Sequence, residues 1–317
     1  MAIQEKQAAA DGAHRPRFRG VFLRPRYWPT WAALALLRLS LWLPHRVRAF
    51  LGQGLGDLYY VFNAKRRGIA RTNIALCFPS WDENRRNELT RRHFRTAMQG
   101  FLDFPWWWWA SDRALERRVR ITGIEHYRNA VASGRNVILL TYHNVALEAG
   151  VMISRHYPHV SLVKPLPNPV LDWFMTRART RFNGRIFSRS GGLRSLVRAV
   201  RGGAGVYYIP DEDLGLQDSV FVPFFGVPAA TLATLGRLAT LCNAVVIPCF
   251  ARLLAKGAGY ELSLRAPMTG FPSSDRVRDA ERMNEEIERG IREAPEQYWW
   301  TAKRFRHRPS GERSPYE

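Results

Sequence analysis

NVILLTYHNVALEAG, residues 136–150, runs an apolar stretch straight into a histidine, with a glutamate five residues further on. An apolar strand usually ends in a Gly, Asn or Asp turn rather than an ionisable ring. Alone, His143 and Glu148 read equally well as a strand cap and a solvated helix face, because short motifs recur by chance. The surroundings carry more. Apolar runs predict strands near 119–122, 136–142, 159–164, 184–188, 204–209, 244–250 and 260–266. Helical patterns fall between them, near 125–133, 146–157, 168–181, 192–202, 229–242 and 276–293. That alternation implies an α/β fold, a mixed, mostly parallel sheet flanked by helices. In such folds ligands bind beyond the carboxyl ends of the strands. His143 is expected there, with Glu148 in the first turn of the next helix. An imidazole whose tautomer is held by a carboxylate is what a general base needs to deprotonate an alcohol. Backbone N–H groups at the start of that helix would serve a developing oxyanion.

The 317 residues are 46% hydrophobic and carry a net charge of +21. That length suits one sizeable domain with an N-terminal appendage. Only five of the basic residues are Lys, leaving 43 Arg. Such a charge seeks a polyanion: nucleic acid, an anionic membrane surface or a phosphorylated substrate. No helix-turn-helix, RNP or zinc-finger pattern is present, and the aromatic residues sit in apolar runs instead of interleaving with Arg, so nucleic acid is the least favoured partner. Cys77, Cys242 and Cys249 are too scattered for a disulfide framework or a zinc site. No cofactor or metal is expected, and the reducing cytosol is the default compartment for the bulk of the chain.

Four segments are expected: a basic tail (1–26), a membrane-anchoring helical segment (27–62), the catalytic domain (63–309) and a short tail (310–317). Residues 27–44, YWPTWAALALLRLSLWLP, are near the lower length limit for a span and contain Arg38. Tyr27, Trp28, Trp31 and Trp42 mark the ends as interfacial aromatics do. Flanking Arg24, Arg26, Arg46 and Arg48 leave the orientation open, so a single span and a helix lodged in the cytoplasmic leaflet both fit. Trp106 to Trp109 cannot all face one core, since successive helical residues diverge by about 100°. Some of them are expected at a bilayer, a lipid chain or a partner.

Further blocks follow His143 and Glu148 in order: RFNG at 181–184, then GVYYIPDEDLGLQDSVFVPFFGVPAAT at 205–231. With RTNIALCFP (71–79) and PEQYWWTAKRFRHRP (295–309), the chain resembles over most of its length the late acyltransferases of lipid A biosynthesis. These are the lauroyl and myristoyl transferases of Gram-negative bacteria, within the lysophospholipid acyltransferase superfamily. The resemblance implies His143 as general base, Glu148 as its partner in H-x4-E, and Asp211 at the acidic position of the third block. It implies Arg181 as the arginine for a substrate phosphate, with Arg179 and Arg189 as alternatives. It implies an acyl carrier protein thioester as donor, and as acceptor a hydroxyl on a Kdo-bearing lipid A precursor. The site would face the cytoplasm at the inner membrane. A related acceptor, a phospholipid or another glycolipid, is the alternative. Glu212 departs from the family pattern, which more often has an amide or His there.

A thioester is activated enough for direct attack by the acceptor hydroxyl, and none of the three Cys is placed like a nucleophile. Asp211 and Asp213 lack further carboxylates for a metal, so loop structure or Arg pairing is expected. FVPFFG reads as a buried segment that also suits an acyl pocket. His156 and His159 are expected on the surface, and RFRHRPSGERSPYE as a solvated end.

Overall fold

The structure, a computed structural model, describes residues 12–188 and 193–317. Strands β1 (Val119–Thr122), β2 (Asn136–Leu140), β3 (His159–Val163), β4 (Gly184–Ser188), β5 (Gly205–Tyr208), β8 (Ala244–Leu253) and β9 (Tyr260–Leu264) form one seven-stranded sheet. Its order is β1-β9-β8-β2-β5-β3-β4. β2, β3, β4, β5 and β8 are parallel to one another, and β9 returns antiparallel to β8. In β2, Val137 to Leu140 are all buried. A strand covered on both faces tolerates no polar alternation, which is why it reads as an unbroken apolar run.

Helices α1 (Trp28–Leu39), α2 (His45–Phe62), α3 (Ala64–Cys77) and α4 (Glu83–Trp109) precede the sheet. The rest are α5 (Asp112–Glu116), α6 (Ile124–Ala132), α7 (Pro169–Arg179), α8 (Leu193–Arg201), α9 (Leu235–Leu241) and α10 (Arg276–Glu293). Asp82, Asn168 and Asp275 cap α4, α7 and α10 by accepting first-turn amides, which sets where these helices begin.

Three expectations need correction. The segment expected as a helix over 146–157 is a 3-10 helix, Leu147–Arg155. The helix expected over 229–242 begins only at Leu235, because 227–232 form strand β7 (Val227–Leu232) of a separate hairpin with β6 (Ser219–Phe224). Ala and Leu at near-helical spacing hid the turn, where Phe225 (φ 52°) and Gly226 (φ 77°) both take the left-handed conformation that a tight two-residue hairpin needs. The end of the chain is not a solvated tail: Phe305 and Arg304 are buried, and the Tyr316 hydroxyl bonds Asn73 Oδ1 on α3.

Among the described residues no helix is long and apolar enough to cross a membrane. The 27–62 segment instead breaks at Ser40–Pro44 and folds back over α4 and α7. Gly52 and Gly56 let α2 approach closely, since a Cβ there would sit 2.6 Å from Gln99 Cα and 2.4 Å from Arg95 Cα. Arg48 is buried against Asp103 at 3.2 Å, and Asp103 also accepts the Tyr260 hydroxyl at 2.6 Å. Arg38, the charge inside the apolar stretch, lies over the Trp109 ring at 5.6 Å. The tryptophan run is met by protein on both sides. Trp106 and Trp107 are buried against Tyr260 at the β9 edge, while Trp108 and Trp109 pack on Phe174 of α7.

Candidate active site

β2 delivers His143 three residues beyond Leu140, and neighbouring β5 delivers Asp211 three residues beyond Tyr208. The two loops meet. Asp211 accepts from the His143 amide at 3.0 and 3.1 Å and from ring Nδ1 at 2.8 Å. A carboxylate takes Nδ1–H, so the ring's other nitrogen, Nε2, carries the lone pair of the neutral form. Burial pushes the Asp211 carboxyl up, but the His143 ring charge and its hydrogen bonds, with Arg304 beyond, hold it below the usual carboxylate range. Asp211 is therefore a charged orienter at neutral pH.

The segment after α10 holds the histidine loop from the other side. Trp299 N–H donates to the His143 carbonyl at 3.1 Å, and Val145 N–H to the Gln297 carbonyl at 3.0 Å. The Gln297 side chain bonds both Leu253 N–H and Leu253 C=O at the end of β8. PEQYWW is thus a brace for the loop, a role with no signature in its composition. Four backbone donors of this loop are engaged within the fold. The amides of His143, Val145, Ala146 and Leu147 go to Asp211, Gln297, Asn144 Oδ1 and the Asn144 carbonyl.

Glu148, expected beside the ring, sits in the first turn of the 3-10 helix and turns instead to Arg179 at the end of α7. Arg179 Nε reaches its two oxygens at 3.0 and 3.2 Å, and Nη2 adds a further bond to Oε1. Burial would lower the Arg179 pKa, but the Glu148 charge and hydrogen bonds outweigh it and leave the guanidinium more firmly protonated. The carboxylate that holds His143 is Asp211, 68 positions away, not the one five positions away.

A pocket of about 340 Å³ opens at His143. Its wall is the face of β5, β3 and β4 that carries Tyr207, Ser161 and Ile186; its cover is the 3-10 helix, with Leu147, Gly150 and Val151. Glu148, Arg179, Lys164 and Arg185 also line it. Its surface is mostly apolar between the charged groups, which suits a chain with a polar head. FVPFFG does not line it: Val222, Phe224 and Phe225 are buried elsewhere in the core.

Arg181 is committed to the scaffold. It bonds the Trp107 and Ala110 carbonyls at 3.1 and 2.9 Å and pairs with Asp112 at 3.2 Å, closing the end of α4. Arg189 lies outside the described residues. Asp213 pairs with His307, an imidazole from the C-terminal segment, at 2.6 Å rather than with an arginine. His156 is exposed as expected, but His159 is buried; its Nδ1 donates to the Tyr157 carbonyl, and burial lowers its pKa to about 4. The three cysteines are buried and burial pushes each thiol up, Cys242 to about 11. No thiolate forms readily at such sites.

Residues 15–307 match the model of the bacterial lipid A biosynthesis acyltransferases. A lipid A biosynthesis acyltransferase of Haemophilus influenzae is 36% identical across 98% of this chain and 97% of its own. The chain belongs to the lipid A biosynthesis acyltransferase family. Within that family, the lauroyltransferase of Escherichia coli is 35% identical over 95% of this chain and 99% of its own. The E. coli myristoyltransferase is 32% identical over 95% and 94%. A lipid A acyltransferase must place an acceptor hydroxyl and an acyl chain at one point, and the mouth of the pocket at His143 offers such a point.

Proposed function

We propose that the protein moves a fatty acyl chain from an acyl carrier protein thioester to a hydroxyl of a Kdo-bearing lipid A precursor, with His143 as general base. The observation that carries this reading is the His143–Asp211 pair at the mouth of an apolar-walled pocket. Nε2 takes the proton of the acceptor hydroxyl as its oxygen attacks the thioester carbonyl. The C–O bond forms, the C–S bond breaks, and the imidazolium returns the proton to the departing thiolate. Asp211 fixes the ring and stabilises its charged form, and base catalysis of this kind contributes roughly 10²- to 10⁴-fold. The Glu148–Arg179 pair is a rigid charged wall beside the reacting atoms, with Arg179 the best-placed guanidinium for the acceptor's anionic groups. Arg181 is less suited to that task, since its donors are occupied by the fold.

The chain works at the cytoplasmic face of the inner membrane in this reading. Membrane contact is supported by the apolar surface of the 28–62 segment, where Trp42, Phe50 and Phe62 are 79%, 76% and 78% exposed and Trp28, Leu36 and Leu58 join them. A patch of this kind on a basic protein fits the interface of an anionic bilayer better than water. The test is transfer of a radiolabelled acyl chain from acyl carrier protein to the Kdo-bearing precursor by purified protein. Transfer only to a phospholipid would instead favour the alternative acceptor.

A further inference from the structure

Pro210 to Asp213 form an acidic turn whose side chains alternate. Asp211 points inward to His143 with its side chain 3% exposed, and Asp213 points inward to His307 with 2% exposed. Glu212, between them, is turned out of the core and into the pocket mouth, its side chain 40% exposed. It lines the pocket, and Oε1 stands 4.0 Å from Nε2 of His143. The ring is therefore bracketed by Asp211 bonded to Nδ1 and Glu212 facing Nε2. At 4.0 Å the second contact is a charge interaction rather than a hydrogen bond.

We propose that Glu212 is a positioning residue of the acyl transfer, a second carboxylate that stabilises the imidazolium formed when Nε2 takes the acceptor's proton. This rests on the reading of His143 as base. The proton leaves the acceptor oxygen, resides on Nε2 between the two carboxylates, and departs with the thiolate, so no further reactant is needed. An opposite charge within about 4–6 Å favours the charged form of an ionisable group. Other charges near the ring have partners of their own. Glu148 is neutralised by Arg179, Asp213 pairs with His307, and Arg304 and Tyr298 act on Asp211 from behind. Lys164 and Arg185 line the pocket and oppose Glu212, and its carboxylate is 40% exposed, so its influence is moderate. A carboxylate at this point also keeps an acceptor phosphate away from the reacting oxygen, toward Arg179 and Lys164.

The test is Glu212→Gln, with Glu212→Asp beside it, assayed for kcat/KM across pH with a melting curve for each. A negative charge removed from beside a base weakens that base. The plateau rate should fall about tenfold. The acid limb should move roughly half to one unit toward lower pH, because the ring stays unprotonated further down. Glu212→Asp should lie between, and melting should be unchanged. A scaffold role for Glu212 moves the melting curve and not the limb. An acid limb that stays put, or moves up, overturns the proposal while His143→Ala remains inactive. Full activity of His143→Ala would instead overturn the base assignment beneath it.

Discussion

In the proposed mechanism His143 and Asp211 divide the labour of one general base, and their substitutions should separate accordingly. Asp211→Asn keeps the size and loses the charge, so kcat should fall on the order of 10²–10³ with acceptor KM little changed. Steady-state kinetics with each substrate varied in turn checks this, and an acceptor KM rising as steeply as kcat falls would move Asp211 into substrate binding. Glu148→Ala strands the Arg179 guanidinium beside the pocket. Arg179 is 31% exposed, so the expected cost is on the order of 2–3 kcal/mol, below the range for fully buried pairs. Activity and melting temperature should drop together, and restoration of both by Glu148→Gln would show that hydrogen bonding, not charge, holds the wall. The histidine was legible in the sequence because an apolar run ended on it. Its carboxylate was harder to assign, because β2 and β5 become neighbours only through the crossover that places β3 and β4 beyond them. Glu148 stands closer in sequence and is the natural partner to expect, yet the carboxylate bonded to Nδ1 is Asp211. Arg181 drew attention through its motif, but its neighbours Trp107, Ala110 and Asp112 are 69 or more positions away and left no local trace.

Among the elements, α2 and α4 approach closely because Gly52 and Gly56 fall on one face, four residues apart. Gly56→Val would drive a side chain into the Arg95 backbone, and overpacking of that kind costs about 1–3 kcal/mol. Thermal unfolding should occur several degrees lower, while detergent-solubilised protein keeps its kcat; an unchanged melting curve would mean α2 is not docked as described. The parallel strands were legible since burial on both faces demands apolar runs. The β6–β7 hairpin was not, because Ala229, Ala230 and Thr231 are buried in succession without the alternation that marks a strand, and its turn begins at a Phe with positive φ. Hydropathy alone presents the 27–44 segment as an anchor or span. Hydropathy could not reveal that Trp31 and Leu34 pack on α7 through Trp173 and Val170, nor that Pro44 starts a second helix.

For the whole molecule, buried neutral histidines set the acid limit. His93 and His159 are both lowered by burial to about 4, against an ordinary 6.5. The unfolded chain binds their protons first, so their contribution to stability is complete above pH 6.5 and is lost as pH falls toward 4. Each should remove about 1.4 kcal/mol per pH unit in that window. Melting temperature from pH 7.5 to 4.5 checks the slope, and His159→Phe should flatten it; an equal slope in that variant would contradict the assignment. The exposed face of α1 and α2 belongs to this scale too. Phe50→Glu with Phe62→Glu should shift the protein from vesicles of anionic lipid toward the soluble fraction in flotation, and unaltered flotation would place membrane contact elsewhere.

The central claim is that His143, held by Asp211, takes the proton of a lipid A precursor hydroxyl. The most direct measurement is single-turnover acyl transfer from acyl carrier protein to the Kdo-bearing precursor by wild type and His143→Ala with matched melting curves. Wild type should transfer, and the variant should be slower by at least about a hundredfold with its fold intact. Retention of more than about a tenth of the wild-type rate by His143→Ala would contradict the account, since a base worth so little is no base.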